Sequence, residues 1–131
     1  MDRENQIFII SLLIVICVTA ILTFIPIWQL IIIPGIIAGL INKKLRNAVL
    51  AGILGVLIFW FLYVINGVFF DNVYPLFDQF GALIMGSGYG WLLVILILLF
   101  GAIFGLLGGY FGNKIFKLIL LVIEKRSYQR K

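Results

Sequence analysis

The sequence predicts an all-α protein, an integral membrane bundle of four transmembrane helices that form two in–out–in hairpins and lead into a basic C-terminal helical tail. The residues are 64% hydrophobic and 11% charged, which leaves too little polar surface to cover a soluble core. The apolar residues fall into runs long enough to cross a bilayer. The 131 residues leave no room for a separate soluble domain, so we predict a single membrane domain over residues 1–131.

The first two predicted helices come from one apolar stretch, residues 7–41. Its 35 residues would rise about 52 Å as one helix, whereas the hydrocarbon core is roughly 30 Å thick. The stretch must therefore reverse, and Pro26 lies where a reversal is expected. We predict helices at about 7–25 and 27–41. For Pro34 and Gly35, in the middle of the second, we favour a kink over an unwound binding site.

The third and fourth predicted helices follow a tight basic turn at residues 42–47. The apolar run 48–70 predicts the third helix, and the run 91–112 predicts the fourth. Between them lies a predicted outer loop, residues 71–90, which carries Asp71 and Asp78 and no basic residue.

The distribution of charge predicts the orientation. Lysine and arginine mark the cytoplasmic side of membrane proteins, and here they concentrate in the turn 42–47 and in the tail 113–131. We therefore expect a multi-pass protein of the cell membrane with both termini in the cytoplasm.

The tail contains an apolar segment, residues 115–123, that is too short to span a bilayer. Either it extends the fourth helix or it lies in the cytoplasmic interface. We expect its basic side chains to contact anionic lipid headgroups, although they also fit a simple positive-inside anchor. The candidate headgroup residues are Lys114, Lys117, Lys125 and Arg126.

The segment MGSGYGW, residues 85–91, contains the Gly-Tyr-Gly triplet of potassium filters. A candidate short helix over residues 75–85 precedes it, which is the order that such a filter requires. Gly86 and Ser87 stand where such a filter has threonine and valine, and the next apolar run begins at once. We therefore interpret the segment as a flexible turn with aromatic residues at the membrane interface. The predicted partner surface of the outer loop comprises Tyr74, Phe77, Phe80, Tyr89 and Trp91.

The four predicted spans contain no Asp, Glu, Lys, Arg or His. Proton relays, ion coupling and general acid–base catalysis usually need such residues. Histidine is absent and Cys17 is the single cysteine, which argues against a zinc, haem or copper site. We predict no enzyme activity, no cofactor, no metal site and no nucleic-acid partner. The few polar residues of the spans, Ser11, Thr19, Thr23 and Asn66, are expected to form hydrogen bonds between helices.

Small residues at helical spacing predict close helix packing, because they let backbones approach each other in lipid. We favour packing within one chain over packing between copies. The stripes are Gly101, Gly105 and Gly109 with Gly108 and Gly112 on the fourth predicted helix, Gly35 and Gly39 on the second, and Ala48, Ala51, Gly52 and Gly55 on the third.

Two segments also resemble each other: AGLINKKL at the end of the second helix and GGYFGNKIF at the end of the fourth both place Asn-Lys after small residues. We attribute this to chance. The layout PGIIAGLINKKLRNAVLAGILG resembles small glycine-rich, four-helix membrane proteins of unknown function that are common in archaea. The resemblance covers the first three helices and implies no site residues.

These features together predict a non-enzymatic structural or accessory subunit of a membrane assembly. Its expected partners are the bilayer, anionic lipids at the cytoplasmic face, and other membrane subunits or copies of itself. A small homo-oligomeric channel or a holin-like pore is the alternative, and a lipid-binding protein is the third hypothesis.

Overall fold

The structure is a computed structural model that describes residues 3–25 and 27–129, with every side chain in them except those of Trp28 and Gln129. The described part is all-α. It contains five α-helices, α1 (Arg3–Thr23), α2 (Ile32–Ile41), α3 (Leu45–Phe69), α4 (Tyr74–Ile84) and α5 (Gly90–Gln129), and a 3₁₀ helix (Trp28–Ile31) that leads into α2. Three of these helices, α1, α3 and α5, are long and apolar enough to cross a membrane.

The chain reverses between α1 and α2. The side chain of Asn42, just after α2, donates a hydrogen bond of 2.7 Å to Ser11 Oγ in α1, and Lys44 forms an ion pair with Glu4. The end of α2 therefore lies beside the first half of α1. The predicted reversal at Pro26 falls on a residue outside the described part of the chain.

The short helix α2 is continuous through Pro34 and Gly35, so the alternative of an unwound segment there is wrong. Pro34 is the third residue of α2, where a backbone N–H has no partner within an α-helix, and its ring is tolerated for that reason. The change of geometry comes earlier, where the 3₁₀ helix gives way to α2 at Ile32.

The three packed helices α2, α3 and α5 run in alternating directions. Gly35 and Gly39 meet α5 near Gly105 and Gly112 respectively, so α2 and α5 are parallel. Gly52 meets Gly105, and Ala48 meets Gly109, so α3 and α5 are antiparallel. The N-terminus, the turn after α2 and the second half of α5 thus lie at one end of the bundle.

The two ends of the bundle differ in charge. The predicted turn at 42–47 is shorter in the structure, residues 42–44, because α3 begins at Leu45. We call the end that carries Arg3, Lys43, Lys44, Arg46 and the tail lysines the basic end. The opposite end carries Asp71 and Asp78, and we call it the acidic end.

Two expectations about the second half of the chain need correction. The predicted outer loop is not all loop, because α4 occupies residues 74–84 within it. The fourth predicted helix does not end at residue 112, because α5 continues to Gln129. Of the two arrangements considered for the tail, the structure has the extended helix.

The interior of the bundle is built from small residues and the exterior from large ones. The buried apolar core comprises Val15, Ile31, Ala38, Ala51 and Val56, packed against Phe8, Trp60 and Phe104. Most leucine, isoleucine and phenylalanine side chains are exposed instead. This arrangement suits a lipid solvent, in which close backbone packing rather than burial of large side chains holds helices together.

Candidate functional site

A close three-helix contact joins Gly35 of α2, Gly52 of α3 and Gly105 of α5. A Cβ atom added to Gly35 would lie 2.8 Å from the Gly105 carbonyl oxygen, and one added to Gly105 would lie 2.6 Å from the Gly52 carbonyl oxygen. A Cβ added to Gly52 would meet the Gly105 oxygen closer still. The neighbouring atoms are backbone, so they cannot rotate away. We call these three residues the glycine contact.

The same packing continues toward the basic end. A Cβ on Gly108 would lie 2.7 Å from the Gly35 Cα, and a Cβ on Gly39 would lie 2.6 Å from the Gly109 carbonyl oxygen. Gly112 faces Ile36 and Gly39 of α2, while Gly109 faces Ala48 of α3. The glycines of α5 therefore pack against two helices, α2 on one side and α3 on the other.

Two of the predicted packing glycines contact side chains instead of backbone. A Cβ on Gly101 would lie 3.2 Å from the Trp60 ring and 3.3 Å from Val56 Cγ1. A Cβ on Gly55 would lie 2.8 Å from the Val15 Cβ in α1. All eight predicted packing glycines thus lie at contacts within one chain.

A buried polar cluster near the basic end ties α1, α2 and α5 together. Asn42 donates to Ser11 Oγ and, at 3.0 Å, to the Ala38 carbonyl oxygen. Asn113 Nδ2 donates to the carbonyl oxygens of Asn42 at 2.7 Å and Lys43 at 3.2 Å. The bonds from Asn113 satisfy the carbonyl groups of the two residues that follow α2.

The role of the two asparagines was missed from the sequence, although a signal was present. Asn42 and Asn113 occupy equivalent places in the two similar segments AGLINKKL and GGYFGNKIF, and parallel packing of α2 and α5 brings them together. Among the predicted interhelical residues, Ser11 bonds to another helix. Thr19 and Thr23 instead donate to carbonyl oxygens one turn earlier in α1, at 2.7 and 2.8 Å.

The MGSGYGW segment forms the turn that starts α5. Gly86 and Gly88 have φ angles of +111° and +88°, which glycine adopts without strain. Asp78 in α4 accepts hydrogen bonds from the backbone N–H groups of Gly88 at 2.9 Å and Gly90 at 3.3 Å. Its carboxylate thus sits at the N-terminus of α5, where negative charge is favourable.

The predicted aromatic partner residues do not form one patch. Tyr74 and Trp91 line a groove together with α3 residues such as Phe61 and Phe69. Tyr89 lies beside Trp91, with ring centroids 6.4 Å apart. Of the remaining two, Phe80 is 60% exposed and Phe77 lines a cavity.

That cavity, which we call the acidic-end cavity, lies between α1, α3, α4 and α5 and has a volume of about 360 Å³. Its polar lining comes from Thr23, Tyr63, Asn66 and Asp71. Its apolar lining includes Trp60, Val64, Val73, Phe77 and Ile97. Trp60 and Ile97 also line a second, apolar groove of about 540 Å³ with Ile31, Phe100 and Phe104. The two spaces are therefore neighbours.

The predicted headgroup residues Lys114, Lys117, Lys125 and Arg126 are all exposed along the second half of α5. The Lys114 ammonium lies 5.5 Å from the centre of the Tyr110 ring, within the range of a cation–π interaction. Between these basic residues, the apolar side chains of residues 118–123 are also exposed.

Within residues 3–25 and 27–129, no three His, Cys, Asp or Glu residues come together as a metal site. Comparison with known proteins finds no family model, no curated protein and no solved structure that matches the chain. The resemblance to small glycine-rich membrane proteins therefore stays a prediction.

Proposed function

We propose that the protein crosses the cell membrane four times, with both termini and the 42–47 turn in the cytoplasm. The contacts of Asn42 with Ser11 and of Lys44 with Glu4 support a return of the chain between α1 and α3. The basic end then faces the cytoplasm, as the positive-inside rule favours, and the acidic end faces outward.

The return crossing is short. The 3₁₀ helix and α2 comprise residues 28–41, which rise about 23 Å. A segment shorter than the hydrocarbon core is accommodated by local thinning of the bilayer and by flanking residues that reach the interface. Lys43 and Lys44, directly after α2, provide such flanking residues.

We further propose that the protein is a non-enzymatic structural or accessory subunit of a membrane assembly. One observation carries this proposal: the small-residue faces are used within the chain, whereas large apolar and aromatic side chains face outward along the whole bundle. Because the glycine faces are packed within the chain, the large outward side chains form the surface that a partner would contact. The exposed aromatic residues of the acidic end, Phe80, Tyr89 and Trp91, are the proposed contact residues.

The alternative, a homo-oligomeric or holin-like pore, needs a polar path. The side chains of Ser11 and Thr19 are fully buried and hydrogen-bonded within the chain, so they line no conduit between copies. This observation favours the subunit over the pore.

The proposed topology is tested by cysteine labelling in a Cys17→Ser background. A cysteine at residue 4 should react with a membrane-impermeant maleimide only after the cells are broken, whereas one at Asn72 should react in intact cells. If residue 4 were labelled in intact cells, the proposed return crossing between α1 and α3 would be wrong, and three crossings would remain.

The proposed role is tested by gentle purification from the native membrane and by reconstitution of the protein alone. A subunit should bring stoichiometric partners and leave liposomes tight to ions. Replacing Phe80 and Tyr89 together with serine should release the partners, whereas replacing the exposed Leu99 and Ile103 on α5 with alanine should not. A partner-free oligomer that conducts ions would refute the subunit proposal.

The basic side chains of the tail are the proposed contact with anionic lipids. They are exposed and extend along α5 beyond Asn113, so they reach the headgroup layer on the cytoplasmic side. Native mass spectrometry should show fewer retained phosphatidylglycerol molecules when Lys117, Lys125 and Arg126 are replaced by glutamine. If the variant retained as many phosphatidylglycerol molecules as the wild type, the proposed lipid contact would be wrong, and these residues would serve only to fix the orientation of the protein in the membrane.

A further inference from the structure

The acidic-end cavity has the size and lining of a ligand site. Its volume of about 360 Å³ falls within the range of small-molecule sites, which are mostly apolar with a few polar groups. Polarity decreases with depth along α3: Asn66 is followed by Tyr63 and then Trp60 toward the middle of the helix, while Asp71 lies just beyond the end of α3. Asn66 and Trp60 are six residues apart within α3, so the lining changes from an amide to an indole over about 9 Å.

The charge of the cavity is negative and unbalanced. The Asp71 carboxylate forms no hydrogen bond or ion pair with any described residue. The other acidic residue of this end, Asp78, is occupied by the start of α5. The basic residues of the described chain all lie toward the opposite end of the bundle. A cation in this cavity would therefore gain a counter-ion, whereas an anion would be repelled.

The walls favour an organic cation over a small inorganic one. Trp60, Tyr63 and Phe77 place three aromatic side chains around the cavity, and aromatic faces attract substituted ammonium groups. A compact metal ion would need several oxygen ligands, but Asp71 is the single carboxylate in the lining.

A purely apolar groove adjoins the cavity. It shares Trp60 and Ile97 with the cavity, and its other lining residues are Ile31, Phe100 and Phe104. An alkyl chain that follows the ammonium group past Trp60 would enter this groove and bury its surface there.

We propose that the acidic-end cavity binds a single-chain amphiphile with a quaternary ammonium headgroup, the headgroup between Asp71 and the aromatic side chains and the alkyl chain in the apolar groove. The cavity lining includes none of the proposed contact residues Phe80, Tyr89 and Trp91.

The proposal is tested by isothermal titration of the full-length protein in dodecyl maltoside micelles. The probe is decyltrimethylammonium, the charge-reversed comparison is decanoate, and heats from protein-free micelles are subtracted. We expect saturable 1:1 binding of the cation and none of the carboxylate. Absence of saturable cation binding, or equal binding of decanoate, would overturn the proposal.

Variants then locate the bound cation. Asp71→Asn should weaken binding about fivefold, the upper range for an exposed ion pair. Glu124→Gln makes the same change of charge on the tail and should leave binding unchanged. If both variants weaken binding equally, the cation is attracted by overall charge, and the site is wrong.

A steric variant tests the cavity itself. Gly67 lines the cavity, and a Cβ there would make only ordinary contact with Val73 at 3.7 Å, so Gly67→Leu should fill the space and abolish saturable binding. Tyr63→Leu serves as a second variant, at a side chain that is 56% exposed and stacks on Phe59 within the same helix. It should weaken binding about threefold through loss of a cation–π contact. Wild-type affinity in both folded variants would refute binding in this cavity.

Discussion

Adding one methyl group at Gly105 should destabilise the bundle, whereas adding one at Gly67 should not. In Gly105→Ala the new Cβ would lie 2.6 Å from the Gly52 carbonyl oxygen and 3.0 Å from the Ile53 Cα. In Gly67→Ala its nearest neighbour outside the local helix would be Val73 Cγ2 at 3.7 Å. Both changes exchange glycine for alanine within a helix, so the gain in helix propensity, up to about 1 kcal/mol, is similar in both.

The difference between the two variants therefore isolates the steric effect. To restore contact distances near 3.5 Å, α3 and α5 must separate by about 0.5–1 Å, which forfeits a quarter to a half of the dispersion energy of each contact across the gap. Over-packing of this kind costs about 1–3 kcal/mol. Because the obstructing atoms are backbone in both helices, we expect a value near the top of that range, about 2–3 kcal/mol.

The assay is equilibrium unfolding in mixed micelles, followed by circular dichroism, with both variants measured against the unmodified protein. Leu106→Ala provides a second control, because this side chain is 43% exposed and its removal should cost little. Gly105→Leu should be worse than Gly105→Ala. Equal stability of Gly105→Ala and Gly67→Ala would show that α3 and α5 do not approach through this glycine.

Two further predictions concern hydrogen bonds. Asp78→Asn weakens the cap of α5 by about 1 kcal/mol, so hydrogen exchange at the Gly88 amide should accelerate while exchange in the middle of α5 stays slow; acceleration along all of α5 would contradict a local cap. Asn113→Ala removes two donors to buried carbonyl groups, including that of Asn42, and should lower the free energy of unfolding by about 1–3 kcal/mol. If Asn113→Leu restored full stability, the hydrogen bonds would be dispensable.

The apolar segments were predictable because hydropathy and length are strong constraints in a bilayer. The 42–47 turn and the run that became α3 agree with the structure to within a few residues. In contrast, α4 was predicted as loop. Its 11 residues are too few for a span, and the aspartates and glycines around it are typical of loops.

The continuation of α5 could not be decided from hydropathy. Asn113, Lys114 and Lys117 interrupt the apolar run, and such interruptions usually mark the membrane boundary. A helix does not have to end where the membrane does, and residues 113–129 contain neither glycine nor proline to end it.

The glycine stripes show that residue spacing predicts which face of a helix packs closely but not which helix it packs against. Spacing places Gly101, Gly105 and Gly109 on one face of α5, but it does not identify the neighbour that this face meets. The structure shows that Gly105 meets both α2 and α3, which depends on three-dimensional crossing geometry. The acidic-end cavity was likewise hidden, because its lining comes from four helices and the segment that joins α3 to α4.

The unbroken α5 also has a mechanical consequence. Beyond Gly112 it extends 17 residues to Gln129, about 25 Å, without a residue that allows a hinge. This part of α5 is a rigid extension that would pivot about the backbone contacts with α2 and α3. A sideways force on the far end of α5 is therefore transmitted to those contacts as torque, and the contacting glycines have no side chains that could deform to absorb it.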